Sequence, residues 1–335
     1  MSHPRLSLAL QAPDALPASG EIAVFGPRAD TDLADLPKDR VRVIQGFAPD
    51  HDAFVAQGYA VAPLPAGPYA AAVVFLPRSK AEAHALLYEA ANRVQPGGAV
   101  WVDGAKTDGI DSILKALRAR GPVSEPISKA HGKLFQFWAE AGALADWQAR
   151  PLNPVPGFTT LPGVFSADGI DRGSQLLAEA LPAKLPGRVA DLGAGWGWLS
   201  AQILARPGVE ELHLIEADFS ALACARANIS DPRARFHWAD ATRFQPEARF
   251  GAVVMNPPFH TARAADPALG AAFIRAAGGM LSLSGTLWMV ANRHLPYEAA
   301  LRAAFHEIAE VAGDGAFKVM RATKPIVGAA ARPRA

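Results

Sequence analysis

Residues 188–198 of this 335-residue chain read RVADLGAGWGW, and they leave few folds open. An apolar run of strand character, RVADLG (188–193), passes straight into glycines at every second position. A helical pattern follows at once through WLSAQILA. Glycines so spaced let the backbone turn sharply and approach a ligand closely. The helix behind them offers free N–H groups and the positive end of its dipole to a negative or polar group. The segment is not the phosphate loop G-x-x-x-x-G-K-S/T, because no Lys-Ser/Thr follows, and it is not quite the dinucleotide fingerprint G-x-G-x-x-G. Asp191, ahead of the first glycine, would repel a pyrophosphate and would suit a cationic ligand bearing an amino group.

The same grammar runs through the rest of the second half. Strand runs ELHLIEAD (211–218), RFHWAD (235–240), GAVVMN (251–256) and TLWMVAN (286–292) alternate with helical patterns SALACARANI, LGAAFIRAAGGML and EAALRAAF. Apolar strands separated by amphipathic helices predict a parallel sheet covered on both faces. The last two runs, HEIAEVAG and FKVMRAT, have only GDGA between them, a turn that joins antiparallel neighbours. The expectation is an α/β domain with a mostly parallel seven-stranded sheet and one antiparallel strand at its end.

The first half echoes the second. YAAAVVFLP (69–77) parallels FGAVVMNPP (250–258), and VQPGGAVWVDGAK (94–106) parallels LSLSGTLWMVANR (281–293), each with a glycine turn before its second strand. Residues 1–148 are therefore expected to be a degenerate copy of the same fold, structural or substrate-binding. IAVFGPRAD (22–30) keeps a single glycine, and FLPRS replaces MNPPF. A proline-rich stretch, 149–162, reads as an extended linker, which leaves 163–328 for the ligand-binding copy.

Charge and composition narrow the function classes. The formal net charge is +1, with 15 basic against 16 acidic residues in 1–150 and 18 against 16 in 151–335. That balance excludes the global positive field of a non-specific nucleic-acid binder, though not a local basic patch. The single cysteine, Cys224, permits no internal disulfide and reads as a small core residue. The N-terminal apolar run LSLAL is too short for a signal peptide, and no run approaches a membrane span. The nine histidines show no ligand spacing with Cys or Asp, so no metal is expected. A soluble, monomeric, cytoplasmic protein is the expectation.

Two further strand ends carry acids: Glu216, placed to take both hydroxyls of a ribose, and Asp240, placed to accept from an adenine amino group. Each acid alone is an ordinary helix cap; in this order, with the glycine loop, they predict a nucleoside site at the carboxyl edge of the sheet. At the same edge the fourth strand stops at Asn256-Pro257-Pro258-Phe259. A residue before proline is held extended, so this loop presents fixed acceptors, the Asn256 side chain and the Pro257 carbonyl. Phe259 offers a face for stacking a flat group. Two acceptors and a ring suit a planar substrate bearing an NH2 group. Acceptors aimed at its hydrogens favour the pyramidal nitrogen that develops as a conjugated amine attacks, and no strong base is required.

These motifs resemble the S-adenosylmethionine-dependent methyltransferases of Rossmann-like fold, in which NPP-aromatic marks transfer to an amino or amide nitrogen. LPGVFSADGIDRGSQLL (161–177), NPPFH (256–260), VANRHLPY (290–297) and GAFKVMRATK (315–324) are similar to the bacterial small-subunit ribosomal RNA guanine-N2 methyltransferases. AVVFLPRSKAEAHALL and SKAHGKL resemble that family's N-terminal domain, a duplicate that has lost its cofactor loop. The resemblance implies two tandem methyltransferase-like domains and S-adenosylmethionine as cofactor. It implies a guanine of 16S ribosomal RNA, within the small subunit, as methyl acceptor. It assigns Asp191, Gly193, Gly195, Gly197, Glu216, Asp240, Ala241 and Asn256 to the cofactor, with Asn256, Pro257 and Phe259 catalytic. Phe165 and His260 would join Phe259 against the substrate. His260, Asn292 and Lys318 lie in matching motifs without a secure role. Trp196 and Trp198 depart from the smaller residues common there, and either narrow the pocket or pack behind the helix. The same residues leave open a large-subunit guanine, adenine N6 of DNA, a protein glutamine, and a non-catalytic RNA-binding assembly factor.

Overall fold

The computed structural model describes residues 4–140, 142–258, 260–261, 264–265 and 267–326. The chain forms two compact units, Met1–Pro151 with Leu161–Gly163, and Leu152–Thr160 with Val164–Ala335. No helix among the described residues is long and apolar enough to cross a membrane.

The first unit is built on one sheet. Its strands are β1 (Ile22–Phe25), β2 (Val41–Ile44), β3 (Ala60–Ala62), β4 (Ala71–Phe75), β5 (Ala99–Ala105), β6 (Ile127–Lys129) and β7 (Gly132–Trp138), in the order β3-β2-β1-β4-β5-β7-β6. Helices α1 (Pro4–Ala9), α2 (Ala48–Ala56), α3 (Lys80–Arg93) and α4 (Ile110–Arg118) accompany it. Every residue of β1 and β4 is buried, the signature of strands covered on both faces. Among these strands only β7 runs against the common direction of the others.

The second unit repeats that topology. Its main strands are β8 (Arg188–Leu192), β9 (Glu211–Glu216), β10 (Ala234–Trp238), β11 (Phe250–Met255), β14 (Leu281–Asn292), β15 (Phe305–Gly313) and β16 (Phe317–Pro325). They lie in the order β10-β9-β8-β11-β14-β16-β15, and β16 alone of these runs against the direction of the others. It lies one in from the edge, between β14 and β15, not at the end of the sheet as expected, because the hairpin through GDGA folds it back between them. A two-stranded ribbon, β12 (His260–Thr261) and β13 (Ala264–Ala265), follows β11. The helices are α5 (Arg172–Ala180), α6 (Trp198–Leu204), α7 (Phe219–Asn228), α8 (Pro267–Met280) and α9 (Glu298–Ala304). Alternate strand residues feed two cores. Val189, Leu212, Leu214, Ala252 and Val254 pack with α5, α6 and α7, while Ala190, Leu192, Val253 and Met255 pack with α8 and α9.

The seven-stranded, mostly parallel architecture and its echo in the first half match the sequence expectation. The backbone register adds what sequence comparison could not. Gly26 N donates to Ile44 O (3.0 Å) just as Gly193 N donates to Ile215 O (2.8 Å). By this register Val24 occupies the position equivalent to Asp191, Gln45 that of Glu216 and Phe75 that of Asn256. In the first unit the Gln45 amide is spent on its own loop, donating to Pro27 O (2.7 Å) and accepting from Phe47 N (2.8 Å). All three polar groups of interest are thus replaced.

Some boundaries differ from expectation. Strand β14 begins at Leu281, where a glycine turn was expected, because Leu281 pairs with Phe250 across a bulge as soon as α8 ends. Strand β10 stops at Trp238, so Asp240 lies beyond the strand, in a turn where its Oδ1 accepts from Thr242 N (2.8 Å) and Oγ1 (2.6 Å). Within the proline-rich stretch, Leu152 and Thr160 exchange two backbone hydrogen bonds of 2.9 Å. Asn228 clamps Thr159 through both its N–H (2.8 Å) and its carbonyl (2.9 Å).

Candidate functional site

The strand order of the second sheet creates the site. The chain moves outward from β8 through β9 to β10 and then returns to β11 on the other side of β8. At such a reversal a crevice opens beyond the carboxyl ends of the two central strands. The glycine loop leaves β8 there, and Asn256 leaves β11 there. A shallow cleft open to solvent lies between them, lined by Phe165, Ser166, Ile170, Asp171, Ser174, residues 193–196, Trp198, Leu199 and Asn256.

Gly193, Gly195 and Gly197 all hold positive φ, at 75°, 57° and 90°, a region that penalises side chains. Their surroundings differ. A Cβ on Gly195 would meet no atom within 4 Å, so that position opens into space. A Cβ on Gly197 would fall 2.9 Å from Ile229 Cδ1 and 3.2 Å from Ala225 Cβ. Gly197 therefore lets α6 start close against α7, a packing role, and it is not among the residues that line the cleft.

Asp191 is a carboxylate in an apolar layer, 1% exposed between Ala190 and Leu192. Its Oδ2 accepts from Ser200 Oγ at 2.6 Å, and its Oδ1 has no partner among the described residues. Burial pushes this carboxyl up to about 7, the Ser200 hydrogen bond opposes that, and the Glu216 charge adds to it. Glu216 ends β9 and closes the glycine loop: Oε2 accepts from Gly195 N and Oε1 from Asp218 N, both at 2.8 Å. Burial raises its carboxyl to about 6 against the pull of those N–H groups.

Asn256 is the polar centre of the opposite wall. Its Nδ2 donates to Asp171 Oδ2 (2.7 Å) and to Ser174 Oγ (2.9 Å), which uses both of its hydrogens. Its Oδ1 is buried without a partner among the described residues. An unpaired buried acceptor costs about 1–3 kcal/mol, so it marks a place where a donor belongs. Asp171 is held in turn as the cap of α5, its Oδ2 accepting from Ser174 N at 2.8 Å.

The two tryptophans of the loop both line the cleft. The Trp196 ring is buried, its indole N–H donates to Phe165 O (3.1 Å), and its carbonyl accepts from Asn228 Nδ2 (2.8 Å). It thereby fixes the 164–166 segment over the glycine loop, and the Phe165 ring remains 59% exposed at the rim.

The structure brings Gly193, Gly195, Asn256 and Phe165 to one cleft, with Asp191 beneath it and Glu216 linked through Gly195. Asp240 and Ala241 stand at the neighbouring strand end, outside that lining; Ala241 is buried. Pro257 is buried next to Asn256. Phe259 lies outside the described residues, as does the side chain of His260, whose backbone is in β12. Lys318 is buried, donating to Leu295 O (2.8 Å) and Glu298 Oε1 (2.5 Å), which ties β16 to the start of α9. Asn292 ends β14 opposite Phe317. Sequence reasoning missed Asp171, Ser174 and Asn228. The cap pattern Asp171-x-x-Ser174 was visible, but not its partner 85 residues away.

Two family models match the chain, the methyltransferase small domain over residues 156–321 and its N-terminal domain over residues 19–148. Curated relatives include the ribosomal RNA small subunit methyltransferase C of Sodalis glossinidius, 34% identical over 259 residues, covering 75% of this chain and 73% of that one. The protein of the same name from Pseudomonas paraeruginosa is 33% identical over 271 residues, 78% of this chain and 81% of its own. A solved T. thermophilus 16S rRNA N2 methyltransferase, in complex with AdoMet and guanosine, superposes with a TM-score of 0.79 at 26% identity. That match covers 96% of this chain and 92% of the other.

Proposed function

Because the chain belongs to the ribosomal RNA small subunit methyltransferase C family, we propose that it methylates the exocyclic N2 amino group of a guanine in 16S ribosomal RNA, using S-adenosylmethionine. The observation that carries this reading is the Asn256 amide, both hydrogens engaged and its oxygen buried and unpaired beside the glycine loop. The relatives carry the name, and the T. thermophilus neighbour was solved with AdoMet and guanosine.

The residues present fit the cofactor. The unpaired Asp191 Oδ1, in an electronegative pocket with Glu216, suits a ligand with an ammonium and a sulfonium charge. The space beside Gly195 lets the backbone meet that ligand directly. We assign Asp191, Gly193, Gly195 and Glu216 to its binding, with Asp240 and Ala241 at the adjoining strand end for its base. The cofactor supplies an electrophilic methyl group. Asn256 Oδ1 accepts from the guanine amino group and favours the pyramidal nitrogen of the transition state, a role that strengthens as charge develops. Pro257 stiffens the loop that holds this acceptor, and Phe259 stacks the base. The attacking nitrogen becomes acidic once methylated and releases its proton to water, so no protein base is assigned. Positioning of this kind supplies on the order of 7–11 kcal/mol at best.

The first unit, with Val24, Gln45 and Phe75 in place of the key polar groups, is assigned to RNA binding or support. We further assign the protein to the cytoplasm, as a monomer acting within the small subunit. The test is incubation with labelled S-adenosylmethionine and, separately, small subunits, large subunits, naked ribosomal RNA and DNA, followed by nucleoside analysis. N2-methylguanosine from small subunits is expected. Label confined to N6-methyladenine, to protein or to large-subunit guanine overturns the assignment.

A further inference from the structure

We propose that Asp171 and Ser174 are positioning residues for methyl transfer, locking the Asn256 amide so that its one unpaired group is an acceptor. This rests on the reading of Asn256 as the contact to the substrate amino group. A primary amide has nearly the same shape either way round, and a half-turn exchanges its oxygen for its NH2 group. With the wrong end outward, Asn256 would set donor against donor and repel the nitrogen it should receive. Nothing in Asn256 itself prevents this, and a proline on its C-terminal side constrains backbone rather than side chain.

The restraint comes from α5. An ionised carboxylate is an acceptor only, so Asp171 Oδ2, 2.7 Å from Nδ2, admits one orientation. Ser174 Oγ, 2.9 Å away, takes the second hydrogen. Turning the amide over would lose the bond to Asp171 and set the amide carbonyl against its carboxylate, while the Ser174 hydroxyl can bond either end. The Asp171 carboxylate is itself immobilised, because the same Oδ2 accepts from Ser174 N at the head of α5. The helix cap and the amide lock are one device, and both residues line the cleft.

The test separates the two roles of Asp171. Asp171→Ser keeps a good helix cap but is one atom shorter and, as a hydroxyl, no longer dictates the amide orientation. Turnover on small subunits is measured for Asp171→Ser, Ser174→Ala, Asn256→Ala and the Asp171→Ser/Asn256→Ala double variant, with melting temperature and cofactor Kd for each. For Asp171→Ser we expect kcat lower by about 10- to 100-fold, the scale of a small misplacement at a reacting centre. KM for the subunit, cofactor Kd and melting temperature should stay close to those of the parent. Ser174→Ala should fall in the same direction by less. In the Asn256→Ala background, Asp171→Ser should cause no further loss, because its effect passes through that amide. Undiminished kcat in Asp171→Ser, or full additivity with Asn256→Ala, overturns the proposal and leaves the role of Asn256 intact. Undiminished turnover by Asn256→Ala alone would instead remove the reading on which the proposal stands.

Discussion

Gly195 and Gly197 stand two residues apart with the same handedness of backbone, and the structure predicts opposite consequences when each becomes alanine. At Gly197 the new methyl would sit 2.9 Å from Ile229 Cδ1 and 3.3 Å from Ala225 Cα, and φ is 90°. Left-handed strain contributes about 1–2 kcal/mol and overpacking about 1–3 kcal/mol. A stiffer unfolded chain returns about 0.4–1 kcal/mol of this. The remaining loss of roughly 1–4.5 kcal/mol is a large part of a domain stability of about 5–15 kcal/mol. At about 2–4 °C per kcal/mol, the middle of that range is a melting shift of roughly 8 °C. At Gly195 the methyl meets nothing within 4 Å. The strain there is partly offset by about 0.4–1 kcal/mol from a less flexible unfolded chain, which leaves a net cost near 1 kcal/mol. The methyl would occupy the space assigned to the ligand, so cofactor affinity should fall at least about tenfold, equivalent to about 1.4 kcal/mol. Calorimetric unfolding and titration with S-adenosylmethionine on both variants give the comparison. Gly195→Ala with parental affinity, or Gly197→Ala with parental melting temperature, would refute the division of labour.

Cofactor binding should depend on pH. Asp191 and Glu216, raised by burial to about 7 and about 6, hold protons at pH 5.5 that a cationic ligand must displace. Affinity should rise between about pH 5.5 and 7 and then level off, with proton release visible by titration in buffers of different ionisation enthalpy; a flat profile would contradict it. The same raised pKa of Asp191 stabilises the ligand-free fold at low pH and is lost as pH rises through about 7. The melting temperature of the ligand-free Asp191→Asn variant should therefore fall less than the parent's between pH 5 and 8. The Lys318–Glu298 pair should respond asymmetrically, because the Lys318 side chain is 5% exposed and that of Glu298 37%. Glu298→Ala strands a buried cation and should cost about 3–5 kcal/mol, whereas Lys318→Met leaves Glu298 able to reach water and should cost clearly less, which chemical denaturation can measure.

Sequence legibility followed the range of the interaction concerned. Apolar runs of strand length, the helices between them and the GDGA turn are local signals, and they foretold a mostly parallel sheet with one antiparallel strand. That this strand inserts between β14 and β15 and not at the end is a tertiary choice no local signal carries. The glycine loop and Asn256 were legible because a strand end, a turn and a proline announce themselves within a few residues. What distinguishes Gly195 from Gly197 is packing against α7, some 30 residues on, and no spacing rule carries that. Asp171 reads in sequence as an ordinary helix cap. Only the approach of α5 to the end of β11 makes it a partner of Asn256. The degeneracy of the first unit was visible as missing glycines, but the replacement of Glu216 by Gln45 required the strand register.

The proposed methyl transfer turns on one atom, Asn256 Oδ1, as the acceptor of the guanine amino group. The most direct test is single-turnover transfer of a labelled methyl group to small-subunit RNA at saturating S-adenosylmethionine, comparing the parent with Asn256→Ala. Loss of one preorganised acceptor predicts transfer slower by about 10²–10³-fold, with label still at guanine N2 and cofactor affinity little changed. Transfer at the parental rate would mean that the unpaired amide oxygen takes no part in the chemistry.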